Sequence, residues 1–332
     1  MKRLVQIQNG STRRVAWVEE PHLRLLAATS SIYELAQQAI ESGKSLSALI
    51  EDLATDERMD YDSVYSGESP WRLLAPIDHP ADPARCLVSG TGLTHLGSAK
   101  NRQSMHTEVG EQLTDSMRMF RWGVEGGKPA EGEIGIPPEW FYKGNATILR
   151  AHGEPLDVPP YADDGGEEAE IAGVYLVDAN GQPHRIGMAI GNEFSDHKFE
   201  KKNYLNLAGS KIRTCSLGPE LVIDPDFSSV PGKVRLLCQG SELWAKEIIT
   251  GEDEMCHSLR NIEQHHFKFE THRRPGDLHV HYYGACALSF GDGISLADKD
   301  VMEISFPGFG RPLRNPLHVV SEPLPLIHVQ PL

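Results

Sequence analysis

Four side chains between residues 168 and 211 are of types that could do chemistry together: Glu168, Glu170, Glu193 and Lys211. Glu168 and Glu170 stand two apart at the mouth of an apolar, β-branched run, Ile171 to Val177. Alternate residues of a strand project from one face, so both carboxylates point the same way. Two such groups side by side repel each other unless a cation lies between them, and a hard divalent ion prefers oxygen ligands. Asn180-Gly181 predicts a tight hairpin. The returning apolar run then carries Glu193 back to the end of the sheet that holds the pair. A bare Glu-x-Glu is more often two solvated strand-end charges; the third carboxylate and Lys211 argue for a metal site with an amine beside it.

The elements needed to position these groups are mostly strands. Leu4 to Gln8, the Asn9-Gly10 turn and Arg13 to Val18 read as an opening hairpin. Ser30/Ser31 start a helix on which Ile32, Leu35, Ala36, Ala39 and Ile40 keep helical spacing, and Ser45 caps a second one through Leu53. Thr55 to Pro70 is polar and turn-rich, which places a boundary there: residues 1–72 as a small accessory domain, 73–332 as the domain with the chemistry. Trp71 to Ile77 and the run from Cys86 read as strands. The loop Gly90-Thr-Gly-Leu-Thr-His95-Leu-Gly-Ser98 lacks the Gly-Lys-Ser/Thr ending of a phosphate cradle. Its glycines let backbone approach a small ligand, which makes His95 a candidate substrate contact. His279 and His281 share a strand face, but no further Cys or His follows at a zinc-site spacing. Hydrogen-bonded strand histidines are the expectation there.

The order Glu168-x-Glu170, Asn192-Glu193-Phe-Ser195, Gly209-Ser-Lys211 and Leu217-Gly-Pro219 resembles the core of the fumarylacetoacetate hydrolase superfamily. The closing segment Lys299 to Asn315 is similar to the end of that family's domain. The resemblance implies a rolled, barrel-like mixed sheet in an α+β, β-rich fold, preceded by a small α+β domain. It also implies Mg²⁺ (with Mn²⁺ or Ca²⁺ as substitutes) on Glu168, Glu170 and Glu193, with Lys211 as a catalytic amine. Pro137 to Asn145 looks like the family's pocket-lining Pro-x-x-Phe-x-Lys strand. This makes Lys143 a substrate contact and Glu139 a catalytic acid, as in the branch that dehydrates 2-keto-3-deoxy sugar acids. Ser289 falls where the family touches the substrate carboxylate, and Lys100 to Met119 with Gly123 to Glu133 where it places a lid. The chain departs from the family pattern at Glu193, one methylene longer than the usual aspartate. Two further departures count against hydrolysis: His197 replaces the hydrolases' arginine, and Ser98 stands in the place of their catalytic histidine.

Composition sets the outer limits. The chain has 332 residues and a formal charge of −15, which disfavours nucleic acid and anionic membranes as partners. Five scattered cysteines without Cys-x-x-Cys spacing fit reduced thiols. The first residues show no secretory h-region, and no run nears the roughly 20 apolar residues of a membrane span. A cytoplasmic protein is expected and, from the resemblance, a homodimer. The implied reaction is dehydration of a 2-keto-3-deoxy-pentonate to 2-oxoglutarate semialdehyde. The alternatives are an acylpyruvate or diketo-acid C–C hydrolase or decarboxylase, and a silent metal- or sugar-acid-binding protein.

Overall fold

The computed structural model describes residues 1–106 and 114–332. Part of the expected lid, residues 107–113, therefore lies outside the described residues. Most strands join one 13-stranded sheet. Its main path runs Ala54–Asp60, His22–Leu26, Thr12–Glu19, Lys2–Asn9, Leu221–Ile223, Pro183–Asn192, Ala169–Val177, Leu278–Tyr282, Cys86–Gly92, Glu139–Asn145. Along this path neighbours are antiparallel except at Leu278–Tyr282 against Cys86–Gly92, and off it Cys215–Leu217 pairs parallel with Leu149–Arg150, so the sheet is mixed. A second sheet of five strands holds Val230–Cys238, Ser241–Thr250, Val301–Ser305, Leu313–Val319 and Leu156–Val158. The architecture is thus the expected sheet-rich α+β. Among the described residues the main sheet stays open and does not close into a barrel.

The hairpin Ala169–Val177 and Pro183–Asn192 is the core of the molecule, and every residue of its first strand is buried. Ala172, Val174 and Leu176 pack with Ile32, Leu35 and Ala36 of the helix Ile32–Ser42. Ala169 and Ile171 pack into a separate cluster with Tyr283, Phe306 and Phe309. A strand covered on both faces reads as a continuous apolar run, as Ile171 to Val177 does. The helix Ile32–Ser42 begins at Ser31, whose hydroxyl accepts from the Glu34 amide at 3.1 Å. Ser45 caps the helix Leu46–Leu53 in the same way. Both caps are legible in the sequence because hydroxyls satisfy the first-turn amides.

The turn-rich reading of Thr55 to Pro70 does not hold. Ala54–Asp60 is a strand paired with His22–Leu26, and Tyr61–Ser66 is a helix capped by Asp60. The strand lies at the sheet's outer edge and is largely exposed, so it has no apolar alternation to betray it. The strand expected over Trp71 to Ile77 shrinks to Arg72–Leu73. Across the boundary drawn at residue 72 the sheet is continuous, for Lys2–Asn9 pairs with both Leu221–Ile223 and Arg72–Leu73. Buried Glu220 reinforces this seam, taking the Tyr61 hydroxyl at 2.9 Å and an ion pair from Arg3 at 2.9 Å.

The histidines at 279 and 281 are spent on one another's surroundings, as expected. Trp140 Nε1 donates to His266 Nδ1 at 3.2 Å. The His266 proton therefore sits on Nε2, which donates to His279 Nδ1 at 3.0 Å. His281 meets the Ser89 and Thr91 hydroxyls at 2.8 and 2.7 Å. Burial pushes His279 and His281 down to about 3 and His95 down to about 4. These rings are neutral in the fold but protonate freely once unfolded. Stability is thus complete above the ordinary pKa of about 6.5 and is lost as pH falls below it, by roughly 2 kcal/mol per histidine at pH 5. Melting temperatures measured at pH 7, 6 and 5 are expected to fall at each step; a flat profile would show that these rings are not held neutral.

Candidate active site

Hairpin register builds the site. Ala169 opposes Asn192 and Glu170 opposes Gly191, so Glu168 lands beside Glu193, whose amide donates to the Glu168 carbonyl at 2.9 Å. One carboxylate oxygen from each of Glu168, Glu170 and Glu193 can be chosen so that all three lie within 4.8 Å of one another, and all three residues are buried. Among the described residues this is the one group of three or more acidic, histidine or cysteine side chains so arranged. Oxygens around a Mg²⁺ ion lie about 3 to 4 Å apart, and Ca²⁺ spreads them further. The donor set, all carboxylate, suits such a hard ion.

Lys211, at the end of the short helix Leu207–Lys211, reaches into the same place. Its Nζ donates to Glu168 Oε1 and Glu193 Oε2, both at 2.5 Å, and to Ser195 Oγ at 3.0 Å. It also lies 4.7 Å from the centre of the Phe141 ring. Burial alone would raise the Glu168 carboxyl, but Lys211 and His197 outweigh it and hold it well below the usual range. Glu170 goes the other way: burial first, then the nearby charges of Glu193 and Glu168, push it well above that range. Its amide partner, Gly284 N at 2.7 Å, does not compensate. Three buried carboxylates thus crowd one spot with too little positive charge to ionise them all, the electrostatic signature of a cation site.

Glu168 and Glu170 border a small cavity of about 20 Å³, room for roughly one water, and Glu193 meets them from outside its lining. Phe141, Lys211, His197, Glu200 and Gly92 also line it. Glu139, Phe141 and Lys143 alternate on the buried face of Glu139–Asn145. Glu139 is outside the residues that border the cavity and lies against Gly92, where a Cβ would fall 1.9 Å from its Oε1. Only glycine lets the carboxylate come so close to the wall. Larger depressions of about 590 and 620 Å³ occur elsewhere, but neither collects buried carboxylates around a lysine.

The three expected substrate contacts are otherwise engaged. Lys143 is fully buried and lies outside the residues that border the cavity. Its ammonium donates to the carbonyls of Glu193 (2.7 Å), Lys211 (2.9 Å) and Phe194 (3.1 Å) and to the Glu193 carboxylate. Ser289 gives its amide and hydroxyl to the two oxygens of Glu167, each at 2.8 Å. His95 is held between the Thr94 and Thr250 hydroxyls at 2.9 and 3.0 Å, with both ring nitrogens used. Sequence reasoning noticed His197 only as a departure. Here it begins the helix His197–Lys202 behind the cap Asp196, borders the cavity and points Nε2 at Glu168 Oε1, 3.2 Å away. Phe141 was legible from alternation between Glu139 and Lys143; Glu200 had no signal beyond its charge.

No family model and no curated protein matches the chain. Solved structures do. The fold is shared, at a TM-score of 0.71 and 18% identity over 96% of this chain and 100% of the other, with 2-keto-3-deoxyarabinonate dehydratase. A form of 2-keto-3-deoxy-D-arabinonate dehydratase complexed with magnesium and 2,5-dioxopentanoate matches at 0.70, again 18% identical over the same shares. The 2-hydroxyhepta-2,4-diene-1,7-dioate isomerase of Mycobacterium marinum follows at 0.59 and 17% identity, over 97% of this chain and 100% of the other. The chain therefore has the fold of these dehydratase and isomerase structures. No helix of the described residues is long and apolar enough to cross a membrane.

Proposed function

We propose that the chain is a metal-dependent enzyme of the fumarylacetoacetate hydrolase superfamily that dehydrates a 2-keto-3-deoxy sugar acid, with a 2-keto-3-deoxy-pentonate going to 2-oxoglutarate semialdehyde. The observation that carries this reading is the meeting of Glu168, Glu170, Glu193 and Lys211 at one buried spot, beside a cavity bordered by Glu168, Glu170, Lys211 and Gly92, with Glu139 against Gly92. The fold likeness to a dehydratase seen with magnesium and 2,5-dioxopentanoate supports it.

Glu168, Glu170 and Glu193 would hold the ion. A bound hard divalent ion supplies polarisation of the C2 carbonyl of a 2-oxo acid and draws carboxylate charge away from Lys211. Lys211 takes the proton from C3, the position made acidic by that carbonyl. Glu139 delivers a proton to the hydroxyl leaving C4, so that water departs with the C4–O electron pair and a C3–C4 double bond forms. Loss of a proton from C5 then gives the dienol, and protonation at C3 and C4 with loss of the enol protons leaves the C2 ketone and the aldehyde at C5. Phe141 packs against Lys211 and keeps bulk water from the amine.

Purified protein with Mg²⁺ and 2-keto-3-deoxy-arabinonate or -xylonate is expected to release semialdehyde, and addition of EDTA to stop it. Pyruvate from a diketo acid, with no semialdehyde from either sugar acid, would favour the hydrolase; binding without turnover would favour a silent role. Glu139→Gln is expected to lower kcat by about 10²-fold or more, the usual worth of a positioned proton donor. Its Mg²⁺ affinity is expected to stay at the parent value. An unchanged kcat would remove Glu139 from the proton transfer.

A further inference from the structure

The two carboxylates that grip Lys211 are each held a second time, by a different buried side chain. Glu193 has Lys143, whose ammonium also ties the Glu193, Phe194 and Lys211 carbonyls. Glu168 has His197, with Nε2 3.2 Å from the same Oε1 that accepts from Lys211. Both partners are closed off from solvent, Lys143 at 0% and His197 at 2% exposure. A buried carboxylate keeps its rotamer when a fixed donor holds one oxygen, and partners behind metal ligands typically govern affinity by 10- to 100-fold.

We propose that Lys143 and His197 are the positioning residues of the metal site, each locking one ligand, and that Lys211 is not needed to hold either ligand in place. The proposal rests on the reading of Glu168, Glu170 and Glu193 as the metal ligands. It accounts for a lysine in the middle of Glu139–Asn145 with no exposure and no place at the cavity. It also explains how Lys211 can turn toward a substrate without releasing the ligands: Glu193 keeps Lys143 and Ser195, and Glu168 keeps His197.

Charge and position make opposite predictions here, which gives the test its force. By Coulomb's law alone, removing either buried lysine takes a like charge away from the cation and tightens binding. Positioning predicts that only one of them behaves so. Mg²⁺ binding to the full chain, measured by calorimetry, is compared among the parent, Lys211→Met, Lys143→Met, His197→Leu and His197→Gln. Lys211→Met is expected to bind Mg²⁺ as tightly as the parent or more so. Lys143→Met and His197→Leu are expected to bind tenfold or more weakly, and His197→Gln, which restores an N–H donor, to recover most of the loss. Weakening in Lys211→Met equal to that in Lys143→Met, or parent-like affinity in both Lys143→Met and His197→Leu, overturns the proposal. If Lys143→Met does not fold, the His197 pair decides: equal affinity in the leucine and glutamine variants overturns it. A parent that binds no Mg²⁺ overturns the metal reading itself, a different failure from parent binding with indifferent variants.

Discussion

Glu170→Gln is expected to abolish turnover, by roughly a hundredfold or more, without loss of stability in the metal-free protein. The two halves of this expectation share one cause. Glu170 is buried beside two other carboxylates, and burial with their charge drives its carboxyl well above the usual range. A neutral amide of the same shape therefore replaces a group already inclined to be neutral, and its oxygen can still accept from Gly284 N. Removing a like charge from a crowded site costs nothing, so the metal-free melting temperature is expected to stay level or rise. The amide is a poor ligand for a hard cation, and losing a ligand is worth at least as much as losing a partner behind one. Thermal melts with and without Mg²⁺ check both halves: the Mg²⁺-dependent gain should vanish. A variant that still gains stability from Mg²⁺ and turns over normally would take Glu170 out of the site.

Glu220→Ala is expected to cost about 3 to 5 kcal/mol of stability. Glu220 is wholly buried and joins the first strand to the rest of the sheet. Arg3 pairs with it at 2.9 Å, the Tyr61 hydroxyl donates at 2.9 Å and the Arg311 amide at 3.0 Å. Truncation leaves the buried Tyr61 hydroxyl and the part-buried Arg311 amide without their acceptor, and Arg3 with only the longer contact to Glu20 at 3.9 Å. Burial raises the Glu220 carboxyl in spite of Arg3, so glutamine, which keeps an acceptor and drops the charge, is expected to cost clearly less than alanine. Urea melts of the two variants check this; equal midpoints for parent and alanine variant would show that the seam carries no load.

The carboxylate site was legible because its logic is local. Glu168 and Glu170 sit two apart on a strand, and the hairpin through Asn180-Gly181 returns Glu193 to that end, the one-residue shift at Val174/Tyr175 setting it beside Glu168. Lys211 was found through resemblance in the Gly-Ser-Lys run, since no spacing rule places a helix end beside a hairpin end. What the sequence hid depends on long-range packing. Lys143 alternates correctly with Glu139 and Phe141, but alternation tells which face a side chain takes, not how far along the face the cavity extends. Ser289 is 122 residues from Glu167, its partner, and His95 is 155 from Thr250. The strand Ala54–Asp60 was missed because an exposed edge needs no apolar pattern to pair. His197 was visible only as a mismatch to a family motif; its role follows from the register that puts residue 168 beside residue 193.

The account turns on a single cation shared by three glutamates. Crystals soaked in Mn²⁺, measured at the manganese absorption edge, locate such an ion without reference to any assumed chemistry. The account predicts one strong anomalous peak about 2 to 2.3 Å from oxygens of Glu168, Glu170 and Glu193 together, absent from crystals of Glu170→Gln. A peak elsewhere in the molecule, or none at these carboxylates at saturating Mn²⁺, would contradict it.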